Sequence, residues 1–324
     1  MTSRNADRMK LLSIVLVLVA VVAACIAVVT QPLVHAIRSQ QPPVDPVRLQ
    51  AHVRHLSVDL HPRSHDHLRN LDLAAHYIAA AFGAAGASVT LQEVPVGGKA
   101  YRNVVARFGP GSGPVMVIGA HYDSHADTPG ADDNASGVAG LLELAHLLGR
   151  HPQSQPIELV AYTLEEPPHF ATGGMGSARH ARSLREGSRD VKLMLSLEMI
   201  GYFSDEPASQ SYPLPGMGAL YSDRGDFISL VGKLGDFGIM RRLKAVMAGA
   251  SDLPVRSINA PASLPGVDFS DHRNYWQQRY PAFMVTDTAF MRNPNYHLAG
   301  DTHDKLDYGR MARVVQAIYA VTQQ

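Results

Sequence analysis

The hydrophobic positions of this chain follow two different spacings. Short continuous apolar runs are typical of strands that are buried on both faces of a sheet. Longer segments with apolar residues three and four positions apart are typical of helices with one buried face. The first pattern predicts strands at residues 115–119, 157–163, 191–197, 227–231 and 282–286. Two further strands, 88–94 and 103–108, are predicted on either side of a Gly97-Gly98 turn. The second pattern predicts helices at residues 66–85, 138–148, 177–185, 234–248 and 310–321.

The alternation of these strands and helices predicts an α/β fold. This order favours a largely parallel sheet that is covered by helices on both faces. In such sheets the ligand site lies at the carboxyl ends of the strands. No second linker, repeat or low-complexity segment interrupts residues 47–324, and we therefore expect them to form one domain.

An apolar segment near the N-terminus predicts a membrane helix. Arg4, Arg8 and Lys10 precede a run over residues 11–29 that only Ser13 interrupts. A helix of this length spans roughly 28 Å, close to the thickness of the hydrocarbon core. Positive charges before such a helix stay in the cytoplasm. We therefore predict a membrane, single-pass protein whose following domain lies outside the cytoplasm, in the periplasm or extracellular space.

This interpretation divides the chain into four parts and leaves the fate of the helix open. The four parts are a basic cytoplasmic tail (1–10), a transmembrane anchor or signal segment (11–30), a Pro/Gln-rich linker (31–46) and a large folded domain (47–324). A retained anchor is the first expectation, because the apolar run exceeds that of a usual cleaved signal. The alternatives are cleavage after Ala36 and lipidation at Cys25.

Composition excludes several classes of protein. The chain has 29 basic and 29 acidic residues, so it lacks the positive excess by which proteins bind nucleic acid. A hydrophobic fraction of 46% excludes a disordered chain. A single cysteine excludes a disulfide framework and a cysteine-rich zinc site. The 16 histidines make metal or acid/base chemistry the class to examine.

Polar side chains follow the predicted strands at the edge where a ligand site is expected. Each pair or single residue comes directly or shortly after one apolar run, except for two aspartates that precede the helix at 138–148. In chain order they are His121 and Asp123, Asp132 and Asp133, Glu165 and Glu166, Glu198, Asp287 and His297. Taken singly, a histidine at a strand end or a pair of acids at the surface has a structural explanation. Their joint occurrence in order predicts one shared site.

Histidine nitrogens and carboxylate oxygens are the ligands of hard or borderline divalent cations. Without cations, so many carboxylates at one edge would repel one another, and some would stay protonated. Two cations about 3.5–4 Å apart supply both a Lewis acid and a source of hydroxide. A further carboxylate that binds neither cation can then act as a general base.

These residues resemble a known family, the two-zinc exopeptidases that include leucyl aminopeptidases, glutamate carboxypeptidase and glutaminyl cyclases. The resemblance extends from about residue 50 to the end of the chain. It implies a three-layer α/β/α fold and a zinc metallopeptidase that acts on peptides with a free N-terminus. The matching motifs are Gly119-Ala120-His121-Tyr122-Asp123, Gly130-Ala131-Asp132-Asp133-Asn134-Ala135-Ser136-Gly137, Thr163-Leu164-Glu165-Glu166, Leu197-Glu198-Met199 and Asn295-Tyr296-His297.

The resemblance also implies a role for each matching residue. His121, Asp133 and Glu198 would bind one Zn²⁺, while Asp133, Glu166 and His297 would bind a second, so that Asp133 bridges the two ions. A hydroxide between the ions would attack the peptide bond, with Glu165 as the general base. Asp123 would hold the other ring nitrogen of His121.

The sequence departs from the family at several points and leaves alternatives open. Pro167 and Pro168 follow the glutamate pair where a glycine-containing loop is usual, and many relatives have aspartate in place of Glu198. His272 competes with His297 for the ligand position, and His297 is the expected one. A glutaminyl cyclase with one zinc and a non-catalytic ectodomain are the alternative functions. The oligomeric state is left open.

Two segments have no element assigned to them. Residues 203–225 are rich in Pro, Ser and Gly, and residues 260–276 precede the last strand. Both lie between a predicted strand and a predicted ligand, where substrate-binding loops are expected.

Overall fold

The computed structural model describes the backbone of residues 2–324 and the side chains from Arg8 onward, so Met1 and the side chain of Arg4 lie outside the described part. The helices are α1 (Thr2–Thr30), α2 (Pro46–Arg54), α3 (Leu68–Ala84), α4 (Gly137–Leu148), α5 (Gly176–Glu186), α6 (Phe237–Ala250), α7 (His272–Gln277) and α8 (Tyr308–Thr322). The strands are β1 (Ser88–Val96), β2 (Lys99–Phe108), β3 (Val115–His121), β4 (Ile157–Tyr162), β5 (Val191–Glu198), β6 (Ile228–Gly232), β7 (Val255–Asn259) and β8 (Ala282–Thr286).

These strands form one eight-stranded sheet in the order β1-β2-β4-β3-β5-β8-β6-β7. The central strands β4, β3, β5 and β8 are parallel, so their carboxyl ends lie at the same edge. Antiparallel pairs join β1 to β2, β2 to β4 and β6 to β8. The prediction of an α/β fold with a mixed, largely parallel sheet is therefore confirmed.

Helices cover both faces of the sheet and give the three layers that the resemblance implies. Helices α2, α3, α4, α6 and α8 share one hydrophobic core, while α5 and α7 pack on the opposite face. Strand β3 contributes alternate residues to each: Met116 and Ile118 to the first core, Val115 and Val117 to the second. This burial on both faces explains why the strand is a continuous apolar run.

The predicted strands and helices agree with the observed ones apart from their ends and three additional elements. Strand β7 lies at the edge of the sheet and has only five residues, and α7 has only six. Segments this short carry too few apolar positions for a period to emerge. Helix α2 begins at Pro46, the last residue of the predicted linker, behind the capping side chain of Asp45. Aspartate followed by proline is a recognised helix start.

Helix α1 projects from the domain. Its stretch Arg8–Thr30 is, among the described residues, the one helix long and apolar enough to cross a membrane, and it could be an anchor or a signal sequence. Only its last turn meets the domain: Lys244 Nζ donates hydrogen bonds to the carbonyls of Thr30 and Gln31 at 2.8 and 2.9 Å. The hydroxyl of Ser257 also donates to the Thr30 carbonyl, at 3.0 Å, so donors from the domain satisfy the carbonyl groups at the end of this helix.

The N-terminal segment (residues 31–45) has no regular secondary structure, yet it is attached to the domain. The backbone amide of Ile37 donates a hydrogen bond to the carbonyl of Ala245 at 2.8 Å, and the amide of Ser39 donates to the carbonyl of Gly249 at 3.2 Å. Both acceptors lie on α6. The segment therefore runs along this helix and is not a free tether.

Replacing Gly249 with alanine is expected to detach the N-terminal segment from α6, because an added Cβ would overlap the backbone carbonyl of Ile37. Loss of two hydrogen bonds, each worth about 0.5–1.5 kcal/mol, should accelerate proteolytic cleavage of the segment roughly tenfold. Gly238→Ala is the matched control, because Gly238 lies on the same helix and nothing is within 4 Å of its added Cβ. Equal cleavage rates for the two variants would contradict the attachment.

Candidate active site

The predicted polar residues meet at one edge of the sheet. His121 is the last residue of β3, and Glu198 is the last residue of the parallel strand β5. Glu165 and Glu166 follow β4, which pairs with β3 on its other side. Asp133 lies in the turn before α4. These elements are distant in sequence, and the parallel pairing of the strands brings their ends together.

A first cluster surrounds the ring of His121. Its Nε2 atom lies 3.3 Å from Asp133 Oδ1 and 3.5 Å from Glu198 Oε1. All three side chains are buried. Ser270, which the sequence analysis did not single out, donates a 2.7 Å hydrogen bond to Glu198 Oε2. This bond leaves the other oxygen of Glu198 directed at the cluster.

A second cluster forms around His297. Its Nε2 atom lies 3.1 Å from Asp133 Oδ2 and 3.3 Å from Glu166 Oε2. His125 joins the same cluster, with Nδ1 3.4 Å from Glu166 Oε2. Asp133 thus presents one oxygen to each cluster. His125 was missed by the sequence analysis, although it stands only two residues after Asp123.

Glu165 lies beside the first cluster, with Oε2 3.9 Å from His121 Nε2. The carboxylate of Asp123 accepts hydrogen bonds from the backbone amides of Glu165 and Glu166 at 3.1 and 3.0 Å. The Nδ1 atom of His121 is 3.1 Å from the backbone oxygen of Asp123 and 3.5 Å from its carboxylate. Asp123 therefore orients the turn after β4 as well as the ring that it was expected to hold.

A further aspartate, Asp301, supports the turn that carries Asp133. Its two oxygens accept hydrogen bonds from the backbone amides of Asp132 and Asp133 at 3.0 and 3.1 Å. The side chain of Asp132 points elsewhere, to the amide of Gly201 and the Nδ2 atom of Asn293. Nothing in the sequence around Asp301 indicated this contact, because its partners lie far away along the chain.

His272 lies outside both clusters. Its ring is buried against Trp276, and Nε2 is 2.9 Å from the carbonyl oxygen of Val267. Burial lowers the pKa of His272 to about 4, which keeps the ring neutral. The structure thus brings His297 to the carboxylates and places His272 in the packing of α7. Asp287, at the end of β8, likewise points away, towards the backbone amides of Tyr202 and Ala289.

Burial sets the electrostatics of the two clusters. It raises the pKa of Glu165 well above the usual range; His121 opposes this effect, and Glu198 adds to it. Burial also raises the pKa of Glu198. For His121 burial acts in the opposite direction, but the surrounding carboxylates outweigh it and raise the pKa well above 6.5. The pKa of His297 likewise rises to about 10, against the effect of burial, because Asp133 and Glu166 face the ring.

The donor atoms of the clusters fit zinc. His121 Nε2, His125 Nδ1 and Glu166 Oε1 are buried and have no hydrogen-bond partner. Buried polar atoms of this kind are rare unless an ion or water binds them. Imidazole nitrogens and carboxylate oxygens are typical zinc ligands, and positive charge here would offset the repulsion among the carboxylates.

Removing metal is expected to make stability strongly dependent on pH. Glu165, Glu198, His121 and His297 have raised pKa values in the folded state, so folding keeps protons that the unfolded chain releases as pH rises. The stability that these groups contribute is therefore lost progressively as pH rises from 4.5, the ordinary pKa of glutamate, to about 10, the raised pKa of His297. Asp133 titrates below this window, because its pKa is lowered from 3.8.

Melting curves of chelator-treated and zinc-loaded protein at pH 6 and pH 8 test this expectation. The melting temperature of the chelated form should fall by several degrees between pH 6 and pH 8, at about 2–4 °C per kcal/mol. Added zinc should raise the melting temperature more at pH 8 than at pH 6. Equal melting temperatures for the chelated form at both pH values would contradict the raised pKa values.

A cavity opens beside Glu198. The two segments without a predicted element supply much of its wall. Residues 203–225 contribute Tyr212, Met217 and Tyr221, and residues 260–276 contribute Leu264, Val267 and Phe269. The wall is mostly apolar.

The chain is similar in sequence to a known family and to curated proteins. Residues 103–322 match peptidase family M28. The Escherichia coli (strain K12) protein described as "Uncharacterized protein YfbL" is 52% identical over 296 residues, which cover 89% of this chain and 91% of that protein. Leucine aminopeptidase 1 of Coccidioides posadasii (strain C735) is 28% identical over 223 residues, 64% of this chain. The match covers 52% of that aminopeptidase, about half of its length.

Solved structures share the fold. The Legionella pneumophila LapA aminopeptidase has a TM-score of 0.69 at 21% identity, covering 86% of this chain and 71% of that one. The glutaminyl cyclase of Bacteroides thetaiotaomicron has a TM-score of 0.66 at 18% identity, covering 87% and 98%. The family match extends over more than half of the sequence, and the fold and the resemblance in the motifs agree with it. The chain therefore belongs to peptidase family M28.

Proposed function

We propose that this protein is a zinc-dependent aminopeptidase that removes the first residue of peptides. The observation that carries the proposal is the sharing of Asp133 between two clusters, with a separate carboxylate, Glu165, beside them. Two neighbouring metal positions plus a free base are the parts that metal-assisted hydrolysis requires. The curated relatives that are named leucine aminopeptidases point to the same activity.

The side chains divide between the two metal positions according to their contacts. His121 and Glu198 would hold the first zinc, His297 and Glu166 the second, and Asp133 would bind both through its two oxygens. Zinc bound there would polarise a peptide carbonyl and lower the pKa of a water molecule. Asp123 holds the backbone of Glu165 and Glu166 in place, because its carboxylate accepts a hydrogen bond from each of their amides.

Glu165 acts as the general base in this proposal. Its side chain is buried next to His121 and shares no metal position in the first or second cluster. Burial raises the pKa of Glu165 well above the usual range, which supports a role in holding a proton. Positive charge in the clusters would lower the pKa of Glu165 again. The residue can then take a proton from water and deliver it to the leaving amine.

The substrate is proposed to carry an apolar N-terminal side chain. Phe269, Met284 and Phe290 line the cavity next to Glu198, where the side chain before the scissile bond would lie. Burying a side chain of leucine size contributes about 1.5–3 kcal/mol. We therefore expect leucine, methionine and phenylalanine to be preferred over alanine at this position.

The same proposal includes the position of the protein in the cell. Residues 1–10 would remain in the cytoplasm, residues 11–30 would anchor the chain, and the domain at 47–324 would act in the periplasm or outside the cell. The length and apolar character of Arg8–Thr30 support this arrangement.

Product analysis of the full chain, purified in detergent and loaded with zinc, tests the function. It would be incubated with peptides that begin with Leu, Ala or Gln, either free or N-acetylated, and the products read by mass. Loss of one residue from free peptides alone is the expected result. Loss of ammonia from the Gln peptide without shortening would instead indicate a glutaminyl cyclase, and absence of both bound metal and turnover would indicate a non-catalytic ectodomain.

A further inference from the structure

The second cluster contains one histidine more than the first. His125 lies in the loop between β3 and the turn that carries Asp133. Its Nδ1 atom is 3.4 Å from Glu166 Oε2, the same oxygen that lies 3.3 Å from His297 Nε2. One donor atom each of His125, Glu166 and His297 lies within 4.8 Å of the others. Three donors therefore converge on one point, in addition to Asp133.

The ring of His125 is held in place by stacking. It lies parallel to the ring of His297, with 3.8 Å between the ring centres and 5° between the planes. Tyr296 stacks on His297 with a separation of 3.8 Å and an angle of 18°. His297 is thus in contact with both rings, and His125 is held next to the metal position.

Stacking alone does not account for the Nδ1 atom of His125. This atom is buried and has no hydrogen-bond partner, although the ring as a whole is about one-third exposed (31%). A ring used only for packing could expose its nitrogens to water, whereas a buried nitrogen without a partner is unfavourable. A ligand at this nitrogen would remove the cost, and the adjacent Glu166 and His297 indicate that the ligand is a cation.

We propose that His125 is an additional ligand of the zinc position formed by His297, Glu166 and Asp133. The inference rests on the proposed function, since it assumes that the clusters bind zinc. It gives the second position four protein donors, two of them imidazole nitrogens. The first position has three: His121, Glu198 and Asp133.

This difference in donor number makes the two positions unequal. Zinc with four protein ligands is typical of closed sites, and zinc with three keeps an open position for water or substrate. The second position, which includes His125, therefore binds zinc more tightly and is occupied first. The first position exchanges its metal more readily and is the one with room for substrate.

Metal titration of the full-length protein tests the inference through affinity, without reference to turnover. Metal-free protein is titrated with Zn²⁺ against a chromophoric chelator, and with Co²⁺ followed by absorption. His125→Phe keeps a ring that can stack on His297 but removes the nitrogen. His67→Phe is the matched control, because His67 is another partly exposed histidine of this region that belongs to neither cluster.

The wild type and His67→Phe should bind two zinc ions with clearly different affinities. His125→Phe should still bind two, with the tighter affinity weakened at least tenfold and a changed Co²⁺ spectrum. Unchanged affinities and spectrum in a folded His125→Phe protein would overturn the inference and leave the proposed function intact. A wild type that binds no zinc would overturn both.

Discussion

Glu165→Gln is expected to lower kcat by roughly 10²–10⁴-fold, the range that a positioned general base supplies. Glutamine has nearly the shape of glutamate, so packing around the buried side chain is kept. It cannot take a proton from water at any pH of interest. The backbone amide of residue 165 still donates to Asp123, so the turn after β4 should keep its conformation.

The zinc content of the variant distinguishes a general base from a metal ligand. The Glu165→Gln protein should retain the zinc content of the wild type, because the donor sets of both clusters are intact. Glu186→Gln provides the matched control on an exposed glutamate and should leave kcat and zinc content unchanged. Normal turnover by pure Glu165→Gln protein would refute the general-base assignment. Loss of zinc would make Glu165 a ligand instead.

Asp133→Ala is expected to affect both metal positions at once. The two oxygens of Asp133 lie 3.3 Å from His121 Nε2 and 3.1 Å from His297 Nε2. Removing even an outer partner of a ligand costs about 10–100-fold in metal affinity, and removing a shared ligand should cost at least as much at each position. Turnover should fall below detection.

Zinc content and affinity of the Asp133→Ala protein check this expectation. Asp127→Ala is the matched control, because Asp127 lies in the same loop region and its side chain is largely exposed at 76%. Loss of one zinc only, with the second bound as in the wild type, would show that Asp133 serves a single position and does not bridge. Full retention of both ions would exclude it as a ligand.

The periodicity of the sequence predicted most of the sheet. Strands β3 and β8 are buried on both faces, so each is mainly a run of apolar residues that can be recognised without knowledge of its neighbours. Strand β7 escaped prediction because it is a short edge strand that alternates buried and half-buried residues. Helix α7 escaped because it has fewer than two turns.

The candidate ligands were predictable for a related reason. His121 and Glu198 end apolar strands, and ligand sites lie where parallel strands end. The sequence left His272 and His297 as competitors, because both follow residues that a loop could bring to the site. Only the folded chain shows His272 held against Val267 and His297 facing Asp133.

Local sequence thus determined the α/β fold class, the apolar N-terminal helix and the set of chemically able residues, because each depends on residue type and spacing along the chain. Tertiary structure alone decided which nitrogen and oxygen atoms meet. The contacts of Asp301 with the Asp133 turn, of Ser270 with Glu198 and of His125 with Glu166 depend on how loops return to the sheet edge. Loop paths are set by packing across the whole domain, and no local periodicity encodes them.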